Sequence, residues 1–413
     1  MEQIPIKKLM DDCVSWMRQN GYTEYTIGVY DRRWRHGIVS FMNDRGMTDF
    51  TVDIGEAFLS GCHSDGYLSE NDQCMRRSVR VLCEFLLTGR IKRKSHPAVN
   101  YQLDGEIGLS MELLLEQCLE RQMSNTTIAV YRRHLWRFLT FLSSKGVKRI
   151  SEIGSTHIIA YIDGYGYGDK YTSVSVLRKY FRLLAEKDHH DKDLSLLLYG
   201  YRKPKMEKIP SYYTTDEVAQ MEDYALNEAI NPKGRRNYAM LLLASRLGLR
   251  ASDIAALSFD NLKWKQEEIV LTMYKTGKTI KLPLLPEVGN AIVDYLDNGR
   301  PVTYSRKVFL SAKAPYEDAT SDTVQFAIRS IIEECGIKIG NRHHGPHSMR
   351  HTLASRLLEN GVAMPVISAS LGHKSTVTTN GYLRIDENSL RGCALDVPEV
   401  NEKFYTKKRL LAL

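Results

Sequence analysis

Long apolar runs and cysteine are both scarce in this sequence. The longest apolar runs, such as the one from Ala239 to Ala244, fall far short of the roughly 20 residues that a membrane-spanning helix requires. The N-terminus lacks the apolar stretch typical of a signal peptide. The seven cysteines are odd in number and include no C-x-x-C pair, which argues against a disulfide scaffold or a zinc ribbon. We therefore expect a protein of the reducing cytoplasm.

The sequence also lacks an extreme charge. Its 57 Lys and Arg residues against 49 Asp and Glu residues give a net charge of +8, with 43% hydrophobic and 26% charged residues. That composition is typical of globular domains and not of disordered chains, and the length suits about two to three domains. A basic excess of this size permits a polyanionic partner but does not require one.

Two short segments, residues 90–105 and 201–210, combine proline with dense positive charge. Because proline disfavours helix at its own position and at the one before it, both are predicted to be extended linkers. They are either solvated connectors or straps along a phosphate backbone, and the strap interpretation makes Lys203 and Lys205 candidate DNA contacts. The linkers divide the chain into three predicted domains, at residues 1–95, 105–200 and 211–413.

The first two predicted domains, residues 1–95 and 105–200, resemble each other. The stretch from Thr26 to Arg33 parallels the stretch from Thr127 to His134, and later matches keep the same order and approximate spacing. Such internal similarity is typical of a repeated structural unit. We predict a duplicated, all-helical unit of roughly 90 residues, which makes the fold class mainly α.

Apolar residues at helical spacing support this prediction. In the second copy, Tyr131, Leu135 and Phe138 fall on one face of a helix, and the neighbouring arginines fall outside it. Both copies place an arginine cluster at the same point, so we predict that these side chains contact DNA phosphates; the alternative is an ordinary solvated helix face. The candidates are Arg32, Arg33 and Arg35 in the first copy and Arg132, Arg133 and Arg137 in the second.

The third predicted domain, residues 211–413, is predicted to be mostly helical with a small β-hairpin. Thr214 and Glu217 fit a capping box at a helix start. Residues 268–273 and 279–283 are typical of two short strands, and the stretch from Lys275 to Lys278 is the turn between them. Further helices are predicted at about residues 237–247, 321–335 and 348–360.

Scattered residues of the third segment match one family pattern in order and spacing. They are Arg250 in a G-L-R-x-S-[DE] box, Lys275 in the hairpin, His347 and Arg350 in H-x-x-R, His373 in L-G-H and Tyr382 in T-T-x-x-Y. Through these motifs the sequence resembles the tyrosine recombinase (phage-integrase) family. The resemblance covers residues 211–390 well, 105–200 more loosely as the family's core-binding domain, and 1–95 only through the internal repeat.

The resemblance implies DNA strand exchange through a covalent intermediate. Tyr382 would attack a phosphodiester, form a 3′-phosphotyrosine and free a 5′-hydroxyl, and a second DNA end would then reverse the step. Because one ester replaces another, no nucleotide cofactor is implied. Negative charge that builds on the phosphate suits two fixed guanidiniums, which the resemblance assigns to Arg250 and Arg350.

The resemblance also assigns roles to the other three residues. Lys275 would protonate the leaving 5′-oxygen. His347 would hydrogen-bond the phosphate or accept the tyrosine proton, and His373 would support phosphate binding. Lys278 and Lys281 rival Lys275 on the same hairpin.

A metal site is a second interpretation of the histidines. His347 and His351 have the i, i+4 spacing of a zinc-binding helix face. However, the H-E-x-x-H glutamate is missing, and the arginines among these histidines are electrostatically unfavourable beside a dication. We expect no metal.

The resemblance further implies a partner and a biological role. We expect a site-specific recombinase that acts on duplex DNA as a homotetramer on paired sites, with accessory or partner recombinase proteins, as the integrase or transposase of a mobile element. Alternatives of the same chemistry are a chromosome-dimer resolvase, an invertase or a type IB topoisomerase. A catalytically silent DNA-binding regulator is an alternative of another class. The N-terminal copy would bind arm-type sites, extend the core contact, or bind another protein.

Overall fold

The computed structural model describes residues 3–61, 70–91, 101–187, 189–190, 192–202 and 211–372. Within these ranges the fold is mostly helical with small antiparallel sheets, so the predicted mainly α class is confirmed. The chain divides into two compact units, one formed by Met1–Lys94 with Lys208–Leu413 and the other by Ser95–Glu207. The division into three domains stays a prediction. Among the helices in the described ranges, none combines the length and apolarity that crossing a bilayer demands.

Residues 3–91 form a small helical assembly closed by a two-stranded sheet. Strands β1 (Ile4–Pro5) and β2 (Asp49–Phe50) pair antiparallel. The helices are α1 (Ile6–Gln19), α2 (Glu24–Trp34), α3 (Ser40–Asn43), α4 (Val52–Gly61) and α5 (Glu70–Thr88), with a π-helical turn, Arg35–Val39, between α2 and α3. The fully buried indole of Trp34 donates a 2.8 Å hydrogen bond to the Ser78 carbonyl, which joins α2 to α5 across the core.

Residues 101–202 form a second helical assembly. Its helices are α6 (Gly105–Glu120), α7 (Asn125–Ser144), α8 (Ser155–Asp163) and α9 (Tyr167–Glu186), with 3-10 turns at Ile150–Glu152 and Leu194–Leu198. The apolar stripe predicted from the sequence is buried, because Leu135 and Phe138 of α7 are fully enclosed and pack in the same core as Phe181 of α9.

The repeat in the sequence is also a repeat in local structure. The hydroxyl of Thr23 caps α2 by accepting the Thr26 N–H, and the hydroxyl of Ser124 caps α7 by accepting the Thr127 N–H, both at 3.3 Å. The order α1, α2–α3, α4, α5 matches the order α6, α7, α8, α9. One difference is the π-helical turn, since α7 runs straight through the matching position. Another is the β1–β2 pair of the first copy, which the prediction of an all-helical unit missed.

Residues 211–372 form a helical domain that carries a small sheet. Its helices are α10 (Thr215–Asn227), α11 (Pro232–Ser245), α12 (Ala251–Ala256), α13 (Pro286–Asn298), α14 (Ser321–Glu334), α15 (Pro346–Glu359) and α16 (Met364–Ser370). The predicted capping box is present at the start of α10, where Thr214 and Glu217 each accept the other's backbone N–H. The apolar run of α11 from Ala239 to Ala244 is completely buried, so this helix is the centre of the core.

The sheet has three antiparallel strands in the order β3 (Leu262–Lys263), β4 (Glu268–Thr272), β5 (Thr279–Pro283). The predicted hairpin is β4–β5, and the prediction missed the short β3. Ile269, Leu271, Ile280 and Leu282 alternate inward and are buried. The sheet therefore packs one face on the core and leaves the β4–β5 turn to project from it.

Candidate active site

Gly248 and Arg350 join the two arginine-bearing segments. Gly248 has a left-handed backbone (φ +63°), and a Cβ there would lie 2.8 Å from Leu371 and 3.0 Å from Leu353. Only glycine fits both the conformation and the space. The Gly248 carbonyl accepts a 2.7 Å hydrogen bond from Nη1 of Arg350. The turn that presents Arg250 at the start of α12 is therefore attached directly to the second arginine.

Arg350 is almost completely buried, with 2% of its surface exposed. Its Nη2 donates to the Leu371 carbonyl, at the end of α16. The guanidinium thus connects the turn before α12 with the turn after α16. A guanidinium held from two sides needs little reorganisation to meet a developing negative charge.

A buried carboxylate supports Arg250. The Asp253 side chain has no exposed surface, and its Oδ2 lies 4.0 Å from Nη1 of Arg250. Burial raises the pKa of Asp253, although the Tyr274 N–H and the charges of Arg250 and Arg350 act in the opposite direction. Arg250 also contacts Met273, with 3.6 Å between Nη1 and Sδ.

His347 and Lys275 complete the cluster from two other elements. His347 is in the first turn of α15, behind Pro346 at the helix start, and Lys275 is exposed in the β4–β5 turn. Desolvation lowers the pKa of His347, and the positive charges of Arg350, Arg250 and Lys275 lower it further. His347 is therefore neutral at pH 7, and its ring can accept a proton.

These four predicted residues line one cleft of about 1370 Å³. The structure therefore brings Arg250, Lys275, His347 and Arg350 together from α12, the β4–β5 turn and α15. The other two predicted catalytic residues, His373 and Tyr382, lie outside the described residues, as do Lys203 and Lys205. In the part of the chain that the structure describes, no group of three or more His, Cys, Asp and Glu side chains is arranged to hold a metal ion.

Sequence reasoning missed one wall of the cleft. Ser321, Gln325 and Arg329 line it from α14 at intervals of four residues. Arg329 and His344 both contact the Glu333 carboxylate, at 2.7 Å and 3.1 Å. The spacing was visible in the sequence, but polar residues at that spacing also fit any exposed helix face, so no signal singled them out.

The six predicted DNA-binding arginines differ in their surroundings. Three pair with carboxylates: Arg35 with Asp31 at 2.7 Å, Arg132 with Glu112 at 2.7 Å, and Arg137 with Asp169 at 2.9 Å. Arg32 and Arg33 border a surface cavity of about 320 Å³ together with His36. Within the described ranges, Nε of Arg133 is buried without a hydrogen-bond partner. Their contact with DNA stays a prediction.

Comparison with known proteins agrees with this geometry. The model of the phage integrase family matches residues 212–389, and the model of the phage integrase N-terminal SAM-like domain matches residues 113–188. The putative integrase/recombinase y4gC of Sinorhizobium fredii is 34% identical over 190 residues, which are 46% of this chain and 97% of that protein. The chain belongs to the phage integrase family of tyrosine recombinases. It is accordingly a site-specific DNA recombinase, a strand-exchange enzyme with a tyrosine nucleophile.

A second relative and a solved structure are similar to a larger share of this recombinase. The putative integrase/recombinase y4rA of Sinorhizobium fredii is 29% identical over 377 residues, covering 88% of this chain and 87% of that protein. The crystal structure of a lambda integrase tetramer bound to a Holliday junction is 19% identical, with a TM-score of 0.53, and covers 81% of this chain and 92% of that chain. At that identity the structural likeness shows the fold.

Proposed function

We propose that the recombinase cleaves duplex DNA with Tyr382 and stabilises the transferred phosphate with Arg250 and Arg350. The observation that carries this proposal is the convergence of the two arginines with Lys275 and His347 on one cleft. Two guanidiniums that border one cleft suit a phosphate that gains charge in the transition state. Duplex DNA and assembly into a tetramer are supported by the lambda integrase tetramer on a Holliday junction.

Proton transfer is divided between two residues. His347 accepts a proton from the nucleophile or hydrogen-bonds the phosphate, since its lowered pKa keeps the ring neutral at pH 7. Lys275 donates a proton to the leaving 5′-oxygen, since its side chain is exposed at the cleft. His373 supports the phosphate.

The length of the chain allows Tyr382 to reach the cleft. The Leu371 carbonyl is bound to Arg350, and Tyr382 follows Leu371 by 11 residues. An extended chain of that length spans at most about 36–40 Å. That reach suffices for the tyrosine to return to the cleft that Arg350 borders.

The biological role that we propose is integration and excision of a mobile element in the cytoplasm. The names of the two Sinorhizobium fredii relatives, putative integrase/recombinase, support it. Arg32, Arg33 and Arg35 of the first copy and Arg132, Arg133 and Arg137 of the second would contact the DNA backbone, with Lys203 and Lys205 as a strap. Accessory or partner recombinase proteins would set the direction of exchange.

A suicide substrate tests the covalent step. A DNA duplex with a nick next to the cleavage point loses its short leaving strand, so the protein stays attached to the DNA. We expect the wild type and the matched control Tyr405→Phe to become covalently attached, and Tyr382→Phe not to attach. Attachment of Tyr382→Phe at the wild-type rate would show that the nucleophile is wrongly assigned. Attachment of none of the three would favour a silent DNA-binding regulator.

A further inference from the structure

The ring of His351 is stacked on the ring of His347. The two residues lie one turn apart on the same face of α15. Their ring centroids are 5.3 Å apart, and the ring planes differ by 23°. Both rings border the cleft, but His351 is half-buried whereas His347 is exposed.

The helix that carries the two rings is fixed at its start. Ser348 Oγ donates a 2.7 Å hydrogen bond to the Gly345 carbonyl and accepts one from the Gly345 N–H. Thr352 Oγ1 accepts a 3.0 Å hydrogen bond from the Tyr213 N–H. Because the backbone is held, the freedom that remains is rotation of the His347 ring, since the terminal torsion of a histidine is broad.

We propose that His351 is a positioning residue, which holds the His347 ring in the plane that proton transfer at the phosphate requires. The inference rests on the proposed role of His347 and adds a residue to it. A flat ring at stacking distance restricts rotation of its neighbour without using either of the neighbour's nitrogens. The stack itself therefore takes up neither nitrogen of the His347 ring.

The charge state of His351 suits this role. Burial lowers the pKa of His351 to about 4, and His347, Arg350 and His343 add to the effect. His351 is therefore uncharged at neutral pH. When His347 takes up a proton, it faces a neutral ring and not a second cation, so the stack survives the proton transfer.

The test compares His351→Ala with His351→Phe in the full-length protein. Phenylalanine keeps a flat ring and cannot titrate, so it rescues a stacking role. On the nicked substrate we expect His351→Ala to attach about 10- to 100-fold more slowly at unchanged DNA affinity, as for a misplaced acid–base group. His351→Phe should attach at close to the wild-type rate. Glu359→Gln, an exposed position on the same helix, is the matched control.

Nuclear magnetic resonance of ¹⁵N-histidine gives a second readout that needs no DNA. In His351→Ala the titration midpoint of His347 should rise towards its ordinary value, because loss of the ring admits water. In His351→Phe it should stay low. The proposal would be overturned if His351→Ala and the wild type had the same attachment rate and the same His347 titration midpoint. If His347 of the wild type titrated as expected but the protein never attached to DNA, the proposed function would be overturned and the ring stack would stand.

Discussion

The carboxylate of Asp253 accepts a 2.9 Å hydrogen bond from the backbone N–H of Tyr274, the residue before Lys275. Its other oxygen lies 4.0 Å from Arg250. One buried side chain therefore connects the arginine box on α12 with the hairpin turn that carries the lysine. The positions of Arg250 and Lys275 depend on each other through this group.

Asp253→Asn should separate stability from activity. The amide keeps an acceptor for the Tyr274 N–H and removes a buried negative charge, whose cost is seen in the raised pKa of Asp253. We expect a free energy of unfolding at pH 7 no lower than that of the wild type, measured with denaturant. Covalent attachment should fall about tenfold or more, because Arg250 loses its electrostatic partner. Asp253→Ala also removes the acceptor for the Tyr274 N–H and should lower the free energy of unfolding by about 1–3 kcal/mol.

Arg350→Lys should lower both the rate of covalent attachment and the stability of the protein. Lysine keeps the charge but cannot reach the carbonyls of Gly248 and Leu371 together while it also presents a planar pair of donors to phosphate. We expect a loss of attachment rate of about 100-fold or more and a lower melting temperature. Arg356→Lys in the last turn of α15 is the control, and equal effects of the two substitutions would contradict the assignment.

Gly248→Ala and Gly361→Ala form a matched pair. Both glycines have a left-handed backbone, with φ of +63° and +74°, but a Cβ meets Leu371 and Leu353 at Gly248 and nothing within 4 Å at Gly361. Gly361→Ala should lower the free energy of unfolding by about 1 kcal/mol through backbone strain alone. Gly248→Ala should lower it by about 1–3 kcal/mol more through overpacking and should also slow covalent attachment to DNA. Calorimetric melting curves of the two variants measure the difference.

Stability should rise with pH between about 4 and the ordinary histidine range near 6.5. The pKa of His351 is lower in the folded state than in the unfolded state, so in that window the unfolded chain binds more protons and acid favours unfolding. His134 and His347 act in the same direction. His351→Phe removes one of these three groups, and denaturant titrations at several pH values should show a shallower slope. An unchanged slope would mean that His351 is not buried as described.

The salt dependence of DNA binding should distinguish the arginines of the first copy. Arg32 and Arg33 border an open surface cavity, whereas Arg35 is paired with Asp31 at 2.7 Å. Each phosphate contact that is lost lowers the slope of log affinity against log salt by about 0.9. We expect Arg32→Ala and Arg33→Ala to lower the slope and Arg35→Ala to change it less. Identical slopes for all three variants and the wild type would remove these three arginines from the DNA interface.

Local patterns in the sequence predicted much of the fold. The capping box at Thr214 and the helix from Ser321 depend on interactions between residues close in the chain, and both are found as predicted. The strand pair β4–β5 was predicted for the same reason. Strand β3 was missed because two residues are too short to show an alternating pattern.

Interactions between distant segments could not be predicted. Glu112 is 20 residues from Arg132, and Asp169 is 32 residues from Arg137, so helical spacing within one segment says nothing about these pairs. The spacing of His347 and His351 was visible, but spacing alone does not show that the two rings stack. Likewise, the family pattern placed Arg250 and Arg350 in one site without indicating that Gly248 links them.

The hydrogen bond from Arg350 to Leu371 has a mechanical consequence. The stretch of sequence that leads to Tyr382, the proposed nucleophile, follows the Leu371 carbonyl that this guanidinium binds, so its starting point is fixed at the cleft. Removal of the arginine would take one positive charge from the cleft and would also release that starting point. Extra residues inserted after Gly372 would lengthen only the connection to Tyr382, which offers a way to ask whether each subunit cuts for itself or for its neighbour.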